Sequence, residues 1–175
     1  MLKKRALFLD RDGVINIEKG YVYRKEDFEF VEGIFDLVKQ ANQRNYLVII
    51  VTNQSGIGRG YYDEEDFNIL TKWMIKEFIK NKCRIDAVYF CPHHPLFGIG
   101  KYRVDSEFRK PKPGMFLQAE KELRIDMSES IVIGDQKSDM QAGEAAKVTS
   151  LLYLKGECAN CININSLRDA IGHLR

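Results

Sequence analysis

Two acids, Asp10 and Asp12, stand one residue apart where the apolar run Leu7-Phe8-Leu9 ends, and Gly13 follows at once. Carboxylates that close repel, and one stays protonated unless a cation intervenes. A third acid, Asp135, ends a second apolar run, "SIVIGD" (130–135). Hard oxygen donors with coordination to spare suit Mg²⁺. Thr52 and Asn53, behind "YLVIIV", add a hydroxyl and an amide, and Lys110 in "FRKPKPG" adds a positive charge. A metal site, a nucleophilic carboxylate, a lysine and hydrogen-bond donors are together the parts of a phosphoryl-transfer site.

Such groups converge only if the chain brings them to one place. "RALFLD" (5–10) reads as a buried strand. Ile34, Leu37, Val38 and Ala41 have helical spacing, so 33–44 is a helix. The β-branched run at 46–52 reads as a strand covered on both faces. Asp63, with Asp66 three residues on, caps a helix whose stripe is Phe67, Leu70, Trp73, Met74 and Phe78. A short strand follows at 87–90, then a long loop over 91–114 that holds all four prolines. Helix, strand, helix, strand and a last short helix near 166–174 complete the chain. Strands alternating with helices predict an α/β fold, a Rossmann-like doubly wound parallel sheet. Ligands of such sheets sit beyond the carboxyl ends of the strands, which is where these acids, Thr52 and Asn53 fall. Asp139, one helical turn past Asp135, either caps its helix or supports the metal site. Lys112 reads as a solvated loop charge, and Asp126 as a helix-start acid.

The bulk numbers fit this reading. At 175 residues the chain is expected to be a single domain, 1–175. A net charge of +2 without long basic runs gives no reason to expect nucleic acid or a membrane surface. The apolar stretch after "MLKKR" is too short for a signal peptide, so a cytoplasmic protein is expected. Its four cysteines, Cys83, Cys91, Cys158 and Cys161, are then expected as thiols.

The motifs "DRDGV", "VTNQ", "RKPKPG" and "IGDQKSD", in that order over residues 10–139, resemble the four motifs of the haloacid dehalogenase (HAD) phosphatase superfamily. The resemblance implies a nucleophile at Asp10 that becomes an aspartyl-phosphate. It implies a proton donor and base at Asp12, a Mg²⁺ held by Asp10, the Asp12 backbone carbonyl and Asp135, and a phosphoryl group held by Thr52 and Lys110. "DRDGVIN", "GYV", "FEFVEG", "TNQSGIGRG", "CPHHP", "RKPKPGM" and "DMQAG" narrow the likeness to the D,D-heptose 1,7-bisphosphate phosphatases of bacterial heptose synthesis. Histidinol-phosphate phosphatases are near relatives on the same scaffold. The small-molecule partner implied is a sugar bisphosphate. A monomer is expected, since the sequence leaves no apolar surface stripe over. Gly56, Gly58 and Gly60 would let backbone N–H groups approach an anion, and Arg59 and Arg109 are candidates for the phosphate that is held but not cleaved. Asn53, Gln54 and Ser55 border the same site. The stretch 15–28 is long enough for a flap, from which Glu18 and Tyr21 could meet sugar hydroxyls.

One departure stands out. The family binds a structural Zn²⁺ through Cys-x-His and Cys-x-Cys in the loop after strand three. Cys91-Pro92-His93 is present, but the second pair reads Ser106-Glu107-Phe108. A closed zinc site wants four N or S ligands, so no zinc is expected, and Pro92, Pro95, Phe97, Tyr102 and Phe108 are expected to hold the loop instead. Cys158-Ala-Asn-Cys161 has zinc spacing, but the strand order that the resemblance implies puts it on the opposite edge of the sheet. Two other classes compete. A signalling receiver would need its phosphorylated Asp after the third strand, where Cys91 stands. A P-loop needs "GK[ST]" after the glycines, and none follows.

Overall fold

A computed structural model describes residues 3–175. Its six-stranded sheet has the order β3-β2-β1-β4-β5-β6, every pairing parallel. The strands are β1 (Ala6–Leu9), β2 (Leu47–Asn53), β3 (Ala87–Cys91), β4 (Ile131–Gly134), β5 (Ser150–Tyr153) and β6 (Ile162–Asn163). The helices are α1 (Ile34–Gln43), α2 (Ser55–Gly58), α3 (Glu64–Lys80), α4 (Gly114–Leu123), α5 (Lys137–Ala145) and α6 (Leu167–Ile171). β1 lies between β2 and β4, with Leu7 opposite both Val48 and Ile131. Strand order therefore reverses at β1, and the crevice that favours ligands opens beyond Leu9 and Gly134.

The period-2 alternation of strand side chains sorts the core into two layers. Leu7, Leu9, Val48, Ile50 and Ile133 pack on Leu37, Leu70, Met74 and Phe78 of α1 and α3. Phe8, Ile49, Val51 and Val132 pack on Met115, Phe116 and Met140 of α4 and α5. Because both faces are covered, these strands read as continuous apolar runs. α3 begins with the capping box expected at Asp63 and Asp66, and Trp73 of its stripe is only partly buried. No helix among the described residues is long and apolar enough to cross a membrane.

Three features were not expected. α2 forms one helical turn inside "QSGIGRG", and β6 adds an edge strand beyond β5. Cys158 and Cys161 are joined as a disulfide, which corrects the expectation of free thiols. Their Cα atoms are 5.3 Å apart across a turn closed by the Cys161 N–H on the Cys158 carbonyl. Spacing alone cannot tell such a turn from an open pair. Cys83 and Cys91 are free and buried.

Ser130 ties the two strands that carry the central acids. Its fully buried Oγ accepts the Ala6 N–H at 2.9 Å and donates to the Asp126 carbonyl at 2.5 Å. Ser130→Ala leaves the buried Ala6 N–H unpaired, so thermal unfolding should show a loss of about 1–3 kcal/mol. Wild-type stability in that variant would contradict this role.

Candidate active site

Asp10 follows β1, Asp135 follows β4, and Asp139 sits in the first turn of α5. All three are buried, and one carboxylate oxygen from each lies within 4.8 Å of the others. The approach depends on two glycines. A Cβ on Gly13, where φ is +88°, would fall 2.2 Å from Asp135 Oδ2, and one on Gly134 would fall 2.3 Å from Asp139 Cβ. Gly13 thus does more than permit a tight turn. It makes room for the second acid, and Gly134 makes room for the third.

Lys110 is the buried counter-charge. Its Nζ is ion-paired with Asp139 Oδ1 at 2.6 Å and Asp10 Oδ1 at 3.0 Å, and donates a hydrogen bond to the Val51 carbonyl at 2.8 Å. Asn53 holds the lysine's backbone from both sides, accepting the Lys110 N–H and donating to the Lys110 carbonyl, each at 3.1 Å. Burial works against the ammonium charge, yet Asp10 and Asp139 beside it hold its pKa above the ordinary lysine value. Asp139 closes the start of its helix, as one of the two readings had it: its Oδ2 accepts the Gln136 N–H at 2.9 Å, while Oδ1 pairs with the lysine.

Asp10 Oδ1 also accepts the Arg11 N–H at 2.7 Å, which leaves Oδ2 without a protein hydrogen bond. Asp135 Oδ2 accepts from Lys155 Nζ at 2.8 Å and from Gln136 at 3.2 Å, while its buried Oδ1 has no partner at all. Three hard carboxylates, two of them with a buried oxygen that makes no hydrogen bond (Asp135 Oδ1 and Asp139 Oδ1), fit a divalent cation. The Asp12 carboxyl does not join them. It accepts from Arg11 Nη2 at 2.7 and 2.8 Å, from Asn16 at 3.0 Å and from Gln54 at 2.9 Å. It nonetheless lines the same cavity as Asp10, with Lys110, Ser138 and Glu18, a space of about 200 Å³.

A second space of about 230 Å³ shares Asp12, Glu18 and Asn53 with the first and runs on to Tyr21, Ser55 and Tyr62. The flap thus reaches the site as expected, with its base closed by the Ile17 N–H on the Glu29 carbonyl. Arg59 is placed by aromatic rings: its guanidinium lies 4.4 Å from the Phe97 ring centre and 6.0 Å from that of Tyr21. Arg109 is half-buried and donates to the His93 carbonyl at 3.2 Å. Burial and the nearby Arg59 charge lower its pKa. A larger cavity of about 490 Å³ lies behind the flap against Ile69, Leu70 and Trp73, and it contains none of these groups.

The other candidates sit as follows. Thr52 is buried, with its Oγ1 accepting from Gln54 Nε2 at 2.9 Å. Gln54 spends its amide on protein partners rather than on the cavity. Gly56 and Gly58 serve close packing: a Cβ there would strike Tyr62 Cε1 at 2.2 Å or the Pro92 carbonyl at 2.4 Å. In the loop after β3, Cys91 Sγ lies 3.8 Å from His93 Nδ1, and no third Cys, His or acid among the described residues completes a metal group with them. Lys155 was missed because nothing in its surroundings in the sequence marks a turn back to Asp135. Tyr62 was missed because a lone tyrosine past a turn reads as packing.

Comparison with known proteins agrees with this geometry. Residues 107–164 match the family described as HAD-hydrolase-like. The chain is 53% identical over 153 residues (87% of it, 81% of the relative) to the D-glycero-α-D-manno-heptose-1,7-bisphosphate 7-phosphatase of Burkholderia mallei. It is 54% identical over 156 residues (89% and 86%) to that of Campylobacter jejuni. It is 44% identical over 181 residues (99% and 97%) to the β-anomer enzyme of Vibrio cholerae. Among solved structures, a HAD-like phosphatase from Mesorhizobium loti superposes with a TM-score of 0.91 at 31% identity, covering 98% of this chain and 86% of that one. The fold is also that of a D,D-heptose 1,7-bisphosphate phosphatase from B. bronchiseptica complexed with magnesium and phosphate, at TM-score 0.85 and 24% identity, over 97% of each chain. The chain belongs to the heptose-1,7-bisphosphate 7-phosphatase family of HAD-like hydrolases, enzymes that cleave phosphoric monoesters.

The site makes a pH prediction. Burial is the main force that pushes the Asp10 pKa up to about 7, against the pull of Lys110. A cation takes the ionised carboxylate and so competes with that proton. Lowering the pH from about 8 to about 6 should weaken Mg²⁺ binding roughly tenfold, read by calorimetric titration. Equal affinity at both would contradict this account of Asp10.

Proposed function

We propose that the protein removes the 7-phosphate of D-glycero-D-manno-heptose 1,7-bisphosphate in a Mg²⁺-dependent reaction through an aspartyl-phosphate on Asp10. The observation that carries this reading is the buried cluster of Asp10, Asp135 and Asp139, beside a cavity that shares Asp12, Glu18 and Asn53 with a second compartment lined by Tyr21, whose ring lies 6.0 Å from the Arg59 guanidinium. Asp10, Asp135 and Asp139 would hold the cation, with the Asp12 backbone carbonyl as a further oxygen donor. When bound, it offsets the charge of the acids and of the phosphate.

The chain's own groups do the rest. The Asp10 oxygen without protein partners attacks phosphorus, and the bond from phosphorus to the sugar oxygen breaks. Asp12 gives that oxygen its proton. A water then attacks the aspartyl-phosphate, its proton returns to Asp12, and Asp10 is released with inorganic phosphate. Lys110 draws Asp10 toward its ionised form against burial and holds it in place through the first step, and any contact it makes with a phosphate oxygen exchanges one of its three present partners. Asn53, Ser55, Glu18 and Tyr21 border the sugar. Arg59 and Arg109 bind the phosphate that stays, through the fork geometry suited to it.

The α anomer is the preferred substrate on this reading. The relatives named for it are 53% and 54% identical to the chain, while those named for the β anomer are 41–46% identical. The loop after β3 holds no zinc, because Ser106 and Phe108 stand where the family has cysteines. A cytoplasmic monomer in bacterial heptose synthesis, without nucleic-acid or membrane partners, completes the proposal.

Phosphate release should be measured with Mg²⁺ on both bisphosphate anomers and on histidinol phosphate. The α anomer should give the highest kcat/KM, and Mg²⁺ removal should abolish turnover. A preference for histidinol phosphate would overturn the substrate assignment while leaving the chemistry standing.

A further inference from the structure

The Gln54 amide has no N–H donor left for a substrate. Its Nε2 donates to Thr52 Oγ1 and to Asp12 Oδ2, both at 2.9 Å, and its Oε1 accepts from the Tyr62 hydroxyl at 2.5 Å. Both N–H donors are therefore spent on residues at the reacting centre, and the carbonyl on Tyr62. The Asp12 carboxylate, which can only accept, also fixes which way the amide faces. A flipped amide would set its carbonyl oxygen against the Asp12 carboxylate, so one orientation is strongly favoured.

Tyr62 is itself held tightly. It is buried, and its ring stacks on Tyr23 of the flap with centroids 5.0 Å apart and planes 4° from parallel. It reaches Gln54 only because residue 56 is glycine, since a Cβ there would lie 2.2 Å from Tyr62 Cε1. Burial pushes the phenol's pKa above its ordinary value, which keeps the hydroxyl a donor. Asp12 has two other holders, Arg11 and Asn16, but neither touches Thr52. Among the described residues, Gln54 alone links the Asp12 carboxyl to the Thr52 hydroxyl.

We propose that Tyr62 is a positioning residue for proton transfer: through Gln54 it sets the Asp12 carboxyl and the Thr52 hydroxyl in fixed register. This rests on the reading of Asp12 as the acid that protonates the leaving sugar oxygen. In that step the Asp10–phosphorus bond forms, the phosphorus–sugar bond breaks, and the proton passes from Asp12 to the sugar oxygen. A 4-nitrophenolate leaves without that proton, whereas a sugar alkoxide does not. The two esters therefore separate a misplaced acid from a damaged site.

The experiment compares kcat/KM, which reports steps through aspartyl-phosphate formation, for the heptose bisphosphate and for 4-nitrophenyl phosphate. Tyr62→Phe, Gln54→Met and Asp12→Ala are measured with Mg²⁺, with circular dichroism to verify folding. Tyr62→Phe and Gln54→Met should each lose about tenfold or more on the sugar ester beyond their loss on the aryl ester, within the span of general acid catalysis. The double variant should lose no more than Gln54→Met alone, because both act through one brace. Gln54→Met carries the test if Tyr62→Phe does not fold. Equal losses on the two esters in these variants, with Asp12→Ala still showing the difference, would overturn the brace and leave Asp12 in its role. Equal losses in Asp12→Ala as well would overturn the reading of Asp12 on which the inference rests.

Discussion

The site depends on one ammonium group. Lys110 Nζ sits between Asp10 and Asp139, almost fully buried with both acids. Burying such charges is costly, and removing one partner leaves the others uncompensated. The surroundings are arranged to keep the lysine there: the Val51 carbonyl accepts an N–H from its ammonium, Asn53 clamps its backbone, and Gly134 lets Asp139 approach. The one lysine still falls short of three clustered carboxylates, and exposed Lys155 on Asp135 only partly closes the gap. That remaining negative charge, with an unpartnered Asp135 oxygen, is the physical demand a divalent cation meets.

The sheet explains why the demand arises at this spot. Asp10 and Asp135 end the two strands that flank the reversal of strand order, and β2 brings Asn53 and Val51 alongside. The α5 N-terminus, with Asp139 in its first turn, adds backbone N–H groups and a partial positive charge at the same end. Beyond Asp12 the cavity widens toward Tyr21 and Tyr62, so one end suits phosphoryl chemistry and the other recognition.

Much of this was legible in the sequence, because strand runs ending in Asp10, Thr52 and Asp135 show both a covered sheet and what its ends present. The Asp63–Asp66 cap was legible for the same local reason. What was hidden depends on close approach between distant segments. Gly13 and Gly134 look like turn glycines until the acids packed against them are seen, and Gly56 looks like part of an anion loop until Tyr62 occupies its face. Asp139 could be placed on its helix but not against Lys110. Lys155 and the Cys158–Cys161 disulfide lie in a stretch whose hydrophobic pattern is too weak to fix its path. Family motifs supplied the roles of Asp10 and Asp12, which residue spacing alone left open.

The central claim is that Asp10 attacks phosphorus. Rapid acid quench of the Mg²⁺-loaded enzyme during turnover, followed by peptide mapping by mass spectrometry, tests it most directly. The account predicts a phosphoryl group on the peptide that carries Asp10, located on Asp10 by fragmentation and absent from an Asp10→Asn variant. A phosphoryl group on another residue, or turnover that proceeds in Asp10→Asn, would contradict it.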